Sequence, residues 1–186
     1  MNPFQRRGDP HSLVVSMTGV KMGDRLVQIG CAHGGRLGAV AAKVGLSGQA
    51  VAVVPDEASA ARARKGAAQA GVLVDVETAP PTRLPANDDA FDLAVIDDTG
   101  GLVGAMRAED RVATLRETFR VVRPGGRAIL ISAAQRGGLG ALLTRTQSGP
   151  EFNATPGLQA EGFKSVRVLA EREGLRFVEG IKPRNV

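Results

Sequence analysis

Aromatic side chains are scarce in this chain of 186 residues, which has no tryptophan, no tyrosine and only six phenylalanines. Surfaces that bind single-stranded nucleic acid rely on aromatic rings that stack on the bases. The composition therefore argues against a nucleic-acid partner, even though the net charge is +5. The basic residues are spread along the chain rather than clustered, as they are on a solvated surface.

Cysteine and histidine are also rare, with one cysteine and two histidines in the whole sequence. Cys31 alone cannot form an internal disulfide bond. The cysteine and the two histidines together cannot make a usual zinc site. We therefore expect neither a disulfide nor a metal centre.

Long apolar segments are missing as well. No run approaches the roughly 20 apolar residues that a membrane span needs, and the first residues, MNPFQRR, lack the apolar segment of a signal peptide. The hydrophobic content of 43% and the charged content of 23% are typical of a soluble globular protein. We expect a single cytoplasmic domain over residues 1–186, with an N-terminal extension over 1–12. The sequence leaves open whether the chain forms a homo-oligomer.

Apolar runs alternate with helical patterns along the first two thirds of the chain. Short runs rich in β-branched residues, bounded by glycine, proline, asparagine or aspartate, predict buried strands. Strands linked by helices require a mainly parallel sheet that is covered on both sides. The predicted strands are 26–29, 50–54, 72–76, 91–96 and 128–132, and the predicted helices are 37–44, 58–70 and 109–122. In the last of these helices one apolar stripe is formed by Val112, Leu115, Phe119 and Val122.

The last third of the chain departs from this alternation. Two strand patterns, 163–170 and 175–181, are separated by four residues, which fits an antiparallel hairpin. The segment 133–160 is irregular, and its length and its place near the carboxyl ends of the strands make it a candidate lid or substrate segment. The predicted fold is an α/β domain with a doubly wound, mainly parallel seven-stranded sheet and a C-terminal antiparallel hairpin.

A glycine-rich turn follows the first predicted strand, in the stretch LVQIGCAHGGRLG over residues 26–38. Its small residues let the backbone approach a ligand, and the start of the next helix offers unpaired N–H groups. The turn therefore predicts a nucleotide-type ligand site. It has neither the lysine of a P-loop nor the glycine spacing of the dinucleotide fingerprint.

Four stretches carry a more specific pattern: KMGDRLVQIGC (21–31), ARAR (61–64), LPANDDAFDL (84–93) and LRETFRVVRPGGR (115–127). In this order they resemble the class I S-adenosylmethionine (SAM) dependent methyltransferases, especially the group that includes the ubiquinone and menaquinone biosynthesis enzymes. The resemblance implies the Rossmann-like methyltransferase fold, SAM as cofactor and methyl transfer to a small-molecule substrate.

The resemblance also implies where SAM is held. It places an acid at the end of strand one, where this chain has Gln28, an acid at the end of strand two, where it has Val54, and a polar residue near Pro80. None of these three side chains supplies a negative charge. We expect Asp56 to replace Val54 toward the ribose. The candidate cofactor-binding residues are Gln28, Gly30, Cys31, Ala32, Gly34, Val54, Asp56, Thr82, Arg83 and Asp97.

Catalytic residues cannot be assigned from the sequence, because methyl transfer depends mostly on aligning the acceptor with the methyl group. Asp97 and Asp98 follow the fourth predicted strand, and paired carboxylates can raise one another's pKa enough to make a base. The alternative is that one of them caps the following turn. His33 is either a base or a surface residue.

Two functions remain open at this point. The first is a SAM-dependent methyltransferase that acts on a small metabolite. The second is a non-catalytic binding or regulatory protein of the same fold that has lost SAM affinity, as the residues Gln28, Val54 and Pro80 suggest. The positive net charge adds an RNA methyltransferase as a third hypothesis.

Overall fold

The computed structural model describes residues 10–134 and 152–184. Helices and strands alternate along most of these residues. The helices are α1 (Ser12–Thr18), α2 (Gly34–Val44), α3 (Glu57–Ala70), α4 (Ala108–Val121) and α5 (Ala154–Ala160). The strands are β1 (Arg25–Ile29), β2 (Gln49–Val54), β3 (Asp75–Thr78), β4 (Phe91–Asp98), β5 (Val122–Ala133), β6 (Lys164–Arg172) and β7 (Leu175–Ile181).

These strands form a seven-stranded sheet in the order β3-β2-β1-β4-β5-β7-β6. Strands β1 to β5 pair in parallel, and β7 pairs antiparallel with both β5 and β6. The sequence-based fold, including the C-terminal hairpin, is thereby confirmed. The strand order reverses between β1 and β4, and in open α/β sheets ligands bind in the crevice at the carboxyl ends of the strands at such a reversal.

The central strand β4 supplies core residues to both sides of the sheet, because successive side chains of a strand point to opposite faces. Leu93 belongs to the cluster that includes Val40 of α2. Ile96 belongs to the cluster that includes Leu115 of α4 and Leu158 of α5. Burial of these side chains holds helices against both faces, as the alternating pattern requires.

Three local predictions need correction. The strand predicted over 72–76 begins later, at Asp75, since Val72 and Val74 instead pack from the preceding loop against the core. Strand β5 starts at Val122, well before the predicted 128–132, and so includes the proline and glycines that follow α4. The stripe predicted for α4 is interrupted, because Val112 is 43% exposed.

The irregular segment 133–160 ends in helix α5, whose N-terminus is capped by Asn153, as its side-chain oxygen accepts the N–H of Thr155 at 3.1 Å. Residues 135–151, the larger part of the candidate lid, lie outside the described residues, as do residues 1–9 of the predicted extension. The lid therefore stays a prediction. No helix in the described part of the chain has the length and apolarity needed to cross a membrane.

Helices α2 and α3 touch through their backbones. A methyl group added at Gly66 would overlap the carbonyl group of Gly34, and one added at Gly34 would overlap the carbonyl oxygen of Arg62. At Gly38 an added methyl group would lie 2.7 Å from the carbonyl oxygen of Gly66. Only glycine fits at this crossing, which fixes the middle of α3 against the first half of α2.

We predict that Gly66→Ala lowers the free energy of unfolding by about 2 to 3 kcal/mol, since the added methyl group forces two backbones apart. This cost exceeds the gain of about 1 kcal/mol that alanine gives in an unconstrained helix. Urea denaturation checks the change. The matched control is Lys65→Ala at the exposed neighbouring position, which we expect to change the stability by less than about 0.5 kcal/mol. Equal stability of the two variants would refute the backbone contact.

Candidate active site

The glycine-rich turn leaves β1 through Gly30, whose φ of +79° is a conformation that favours glycine. Its N–H donates to the carbonyl oxygen of Val53 at 2.8 Å, which ties the turn to β2. A methyl group added at Gly30 would lie 2.5 Å from Cδ2 of Leu102 and 3.1 Å from the carbonyl oxygen of Asp97. Asp97, at the end of β4, and Leu102, in the loop after it, therefore cover the turn closely.

Asp97, at the end of β4, holds the glycine-rich turn in place. Its Oδ2 accepts the N–H of Ala32 at 2.9 Å, and its Oδ1 accepts the hydroxyl of Thr99 at 2.6 Å. Arg36 of α2 donates to the hydroxyl oxygen of Thr99 at 2.6 Å and lies 3.7 Å from Oδ1 of Asp97. Because Asp97 is only 3% exposed, these bonds compensate for the burial of its charge.

The start of α3 forms the opposite wall. Asp56 is its N-cap, and its Oδ1 accepts the N–H of Ser59 at 2.7 Å. This bond is the main reason why the pKa of Asp56 lies below its usual range, so the exposed side chain is a carboxylate at neutral pH. One turn further on, Arg62 donates through Nε to the carbonyl oxygen of Cys31 at 3.0 Å and through Nη2 to Ser59 Oγ at 2.7 Å.

Between these walls lies a cavity of about 200 Å³, which we call the cleft. It opens at the carboxyl edge of the sheet, where β1, β2 and β4 end. The structure brings five of the predicted cofactor-binding residues to the cleft, and five further residues complete its lining. The predicted ones are Gly30, Cys31, Ala32, Asp56 and Asp97, and the others are Pro55, Ser59, Arg62, Gly100 and Leu102.

The other predicted residues lie away from the lining of the cleft. Gln28 is 2% exposed, and its side-chain amide donates to the carbonyl oxygen of Gly30 at 3.1 Å, beneath the turn. Val54 is fully buried, and Gly34 packs against α3. Thr82 and Arg83 lie in the loop between β3 and β4. Contact of these five residues with a cofactor stays a prediction.

That loop is held by two side chains of α4. Glu117 accepts the N–H of Leu84 at 2.8 Å, and Arg120 donates to the carbonyl oxygens of Leu84 and Ala86 at 3.1 and 2.8 Å. The ion pair between Arg120 and Glu117, at 2.7 Å, lowers the pKa of Glu117. The stretches 84–93 and 115–127, which carried much of the resemblance, therefore meet in space.

Asp98 has the capping role that the sequence left as an alternative. Its Oδ1 accepts the N–H groups of Val103 and Gly104 at 2.6 and 3.1 Å, which closes the turn after β4. Burial raises the pKa of Asp98 despite these two bonds, and the charge of Asp97 raises it further.

Sequence reasoning missed Ser59, Arg62 and Leu102. The first two could have been found, since the predicted helix over 58–70 places both in its first turns, next to Asp56. No pattern in the sequence signals that Leu102 returns over Gly30, because this depends on the turn after β4.

A second hollow, of about 410 Å³, lies at the opposite edge of the sheet, between the C-terminal ends of α2 and α3. Apolar groups and backbone form most of its lining, to which Asp75 contributes a charged side chain. Ligand sites combine apolar walls with convergent polar groups. The smaller cleft meets this description better.

Comparison with known families assigns the chain. A family model described as a methyltransferase domain matches residues 26–126, which is more than half of the sequence. The chain belongs to this methyltransferase family. The resemblance drawn from the sequence is confirmed at that level, and the assignment supports SAM as the cofactor. The narrower likeness to the quinone biosynthesis enzymes stays a prediction.

Curated relatives are similar over most of this chain. An uncharacterized protein of Mycobacterium tuberculosis is 31% identical over 131 residues, which are 70% of this chain and 45% of the relative. The methyltransferase GfsG of Streptomyces halstedii is 26% identical over 160 residues, 86% of this chain and 55% of the relative. The chain thus spans about half the length of these relatives.

Solved structures share the fold. A SAM-dependent methyltransferase from Aquifex aeolicus superposes with a TM-score of 0.72 at 19% identity, covering 92% of this chain and 89% of the other. A structure titled PigF with SAH (S-adenosylhomocysteine) gives a TM-score of 0.66 at 20% identity, covering 91% of this chain and 54% of the other. At this level of identity the similarity establishes the architecture.

Cys31 lies at the back of the cleft, 3% exposed and packed with Leu37 and Ala60. Burial, with a smaller contribution from the charge of Asp97, raises the pKa of its thiol to about 11. Arg62 and Arg36 oppose this shift only in part. Cys31 is therefore a protonated wall residue at neutral pH and no nucleophile.

We predict that iodoacetamide alkylates native Cys31 at least about 100-fold more slowly than the unfolded chain at about pH 8, because a pKa raised by about two units removes most of the thiolate. The native rate should keep rising with pH until about pH 11, where half of the thiol is ionised. Mass spectrometry follows the reaction, and Cys31→Ser gives the background. A native rate within about tenfold of the unfolded rate would contradict the shift.

Proposed function

We propose that this chain is a methyltransferase that transfers a methyl group from SAM to a small-molecule acceptor. The observation that supports it most is the cleft at the reversal of strand order, between the glycine-rich turn and the start of α3. A small-molecule acceptor fits the chain better than a nucleic acid, since it has no tryptophan or tyrosine for base stacking.

The residues of the cleft fit an adenosyl group carrying an amino acid. A ligand can lie close to the backbone at Ala32, because this side chain is only a methyl group, whereas Leu102 covers the backbone at Gly30. Asp56 offers a carboxylate near the end of β2 that can accept ribose hydroxyls, and Arg62 and Ser59 offer donors beside it. Asp97 places a negative charge at the turn, where a sulfonium cation benefits from it.

SAM, when bound, supplies an activated methyl group on a positively charged sulfur. The chain's part is to bind the cofactor, orient it and hold the acceptor in line. Asp97 keeps the glycine-rich turn in one conformation through Ala32, and Arg62 keeps it at a fixed distance from α3 through the carbonyl oxygen of Cys31. Leu102 covers Gly30 at this end of the cleft.

A second candidate is a binding or regulatory protein of the same fold without SAM affinity. The observation that favours it is that Gln28 and Val54, at two positions where the resemblance implies acids, are buried and present no charge to the cleft. The cleft, at about 200 Å³, is also smaller than most ligand sites, which range from roughly 300 to 1,000 Å³. Movement of Leu102 would enlarge it.

Calorimetry with SAM and SAH separates the two candidates. We expect both ligands to bind with micromolar dissociation constants, because the backbone cradle and the polar residues of the cleft are in place. Adenosine serves as a control for binding without the amino-acid part. Absence of heat at millimolar concentrations of SAM and SAH would remove the enzyme and leave the binding protein.

We predict that Asp56→Asn weakens SAH binding about 10- to 100-fold without changing the free energy of unfolding. Asparagine caps a helix as well as aspartate, whereas a hydrogen bond to a charged acceptor contributes about 1.5 to 3 kcal/mol. Calorimetry measures the affinity, and thermal denaturation measures the stability. The matched control is Asp75→Asn, an identical charge change at the opposite edge of the sheet. Unchanged SAH affinity in Asp56→Asn would show that this carboxylate does not contact the ribose.

A further inference from the structure

The loop after β4 folds back over the glycine-rich turn and touches it at two points. Cδ2 of Leu102 is the first atom that a methyl group added at Gly30 would meet, at 2.5 Å. A methyl group added at Gly100 would lie 3.2 Å from Cβ of Ala32. All four of these residues line the cleft. The contact between the two loops is therefore part of the cleft itself.

The backbone of this loop is anchored on both sides of Leu102. The N–H of Gly101 donates to the carbonyl oxygen of Asp98 at 2.9 Å, and the N–H of Val103 donates to Oδ1 of the same aspartate at 2.6 Å. Val103 is also fully buried in the core cluster that includes Leu115 of α4. The backbone at Leu102 thus has a defined place, so rotation of its side chain is the movement that clears the glycine-rich turn.

The side chain of Leu102 is partly buried, at the margin of the same core cluster. Leucine has a small set of staggered rotamers, and a partly buried side chain gives up only part of its apolar contact when it turns toward solvent. Such a loss corresponds to a few-fold to about tenfold change in a binding constant. Displacement of Leu102 by a ligand is therefore feasible, but it lowers the affinity for that ligand.

The two walls of the cleft differ in chemistry. The start of α3 presents a carboxylate, a hydroxyl and a guanidinium group, from Asp56, Ser59 and Arg62. These groups suit the hydroxyls of a ribose, which donate and accept hydrogen bonds. The opposite wall presents Gly30 with Leu102 over it. When the ribose lies at the polar wall, the amino-acid part of SAM extends toward the wall that Leu102 covers.

We propose that Leu102 is a specificity-determining residue of the cleft: its side chain occupies the space that the amino-acid part of SAM or SAH needs, so these ligands bind with Leu102 turned away. This inference rests on the proposed function. The volume of about 200 Å³ is that of a site partly filled by its own side chain, since most ligand sites measure roughly 300 to 1,000 Å³. Leu102 thereby lowers the affinity for SAH relative to that for adenosine, which lacks the amino-acid part.

Calorimetry with SAH and with adenosine tests this role on the full chain and on the variants Leu102→Ala and Leu102→Val. We expect Leu102→Ala to bind SAH about 3- to 10-fold more tightly than the native chain, because less side chain has to be displaced. The affinity of Leu102→Val should lie between the two. Adenosine should bind all three chains within about twofold.

The direction of the change distinguishes a displaced side chain from an ordinary wall residue. A leucine that touches the bound ligand contributes apolar contact, so its truncation weakens binding. Equal or weaker SAH binding by Leu102→Ala would overturn the proposal, as would an equal gain for adenosine. The matched control is Leu169→Ala, the same substitution at a partly buried position of β6, which should leave both affinities unchanged. Thermal denaturation shows whether Leu102→Ala is folded, and if it is not, the sign of the change in Leu102→Val decides.

The same measurements separate this role from the proposed function. If SAH binds equally well to the native chain and to Leu102→Ala, the role of Leu102 fails and the proposed function stands. If SAH binds to Leu102→Ala and not to the native chain, Leu102 has the role proposed and the native chain is the binding protein without SAM affinity. If SAH binds to neither chain, both proposals fail.

Discussion

The backbone contact between α2 and α3 is the constraint on which the site depends. Gly34 and Gly66 lack side chains where the two helices meet, so α3 lies directly against the first turn of α2. That contact places Asp56 and Arg62 beside the glycine-rich turn, and the two walls of the cleft are therefore spaced by it. Neither Gly34 nor Gly66 has a positive φ. Glycine acts here through its small size, whereas at Gly30 it acts through its conformational freedom.

The polar groups of the cleft serve the protein's own loops as well as any ligand. Gln28 uses its amide on the carbonyl oxygen of Gly30, and Asp97 uses its carboxylate on the N–H of Ala32. Arg62 crosses from α3 to the carbonyl oxygen of Cys31. Hydrogen bonds of this kind pre-organise a binding site and reduce the entropy lost when a ligand binds.

Local patterns were sufficient to predict the sheet and its hairpin, because strands buried on both sides give continuous apolar runs that glycine and proline interrupt. They were insufficient where tertiary packing decides. Val72 and Val74 have the composition of a strand but pack from a loop, and Val112 has the spacing of a core residue but is 43% exposed. In the site, residues next to the glycine-rich turn were predicted from their position in the chain. Leu102 reaches the cleft only through the turn after β4, which no local pattern encodes.

The balance of charge at the cleft has a consequence for how it selects ligands. Asp56 and Asp97 contribute two negative charges, and Arg36 and Arg62 contribute two positive ones, so the described side chains nearly cancel at a distance. An acid in place of Gln28 would make the net charge around the cleft negative and favour a cationic ligand. With the amide there, Asp97 is the buried carboxylate that borders the glycine-rich turn, and salt screens the exposed charges more strongly than this one. The net charge of the cleft therefore contributes little to ligand affinity, which depends on shape and hydrogen bonding instead. Both of these depend on the spacing between α2 and α3 that Gly34 and Gly66 set.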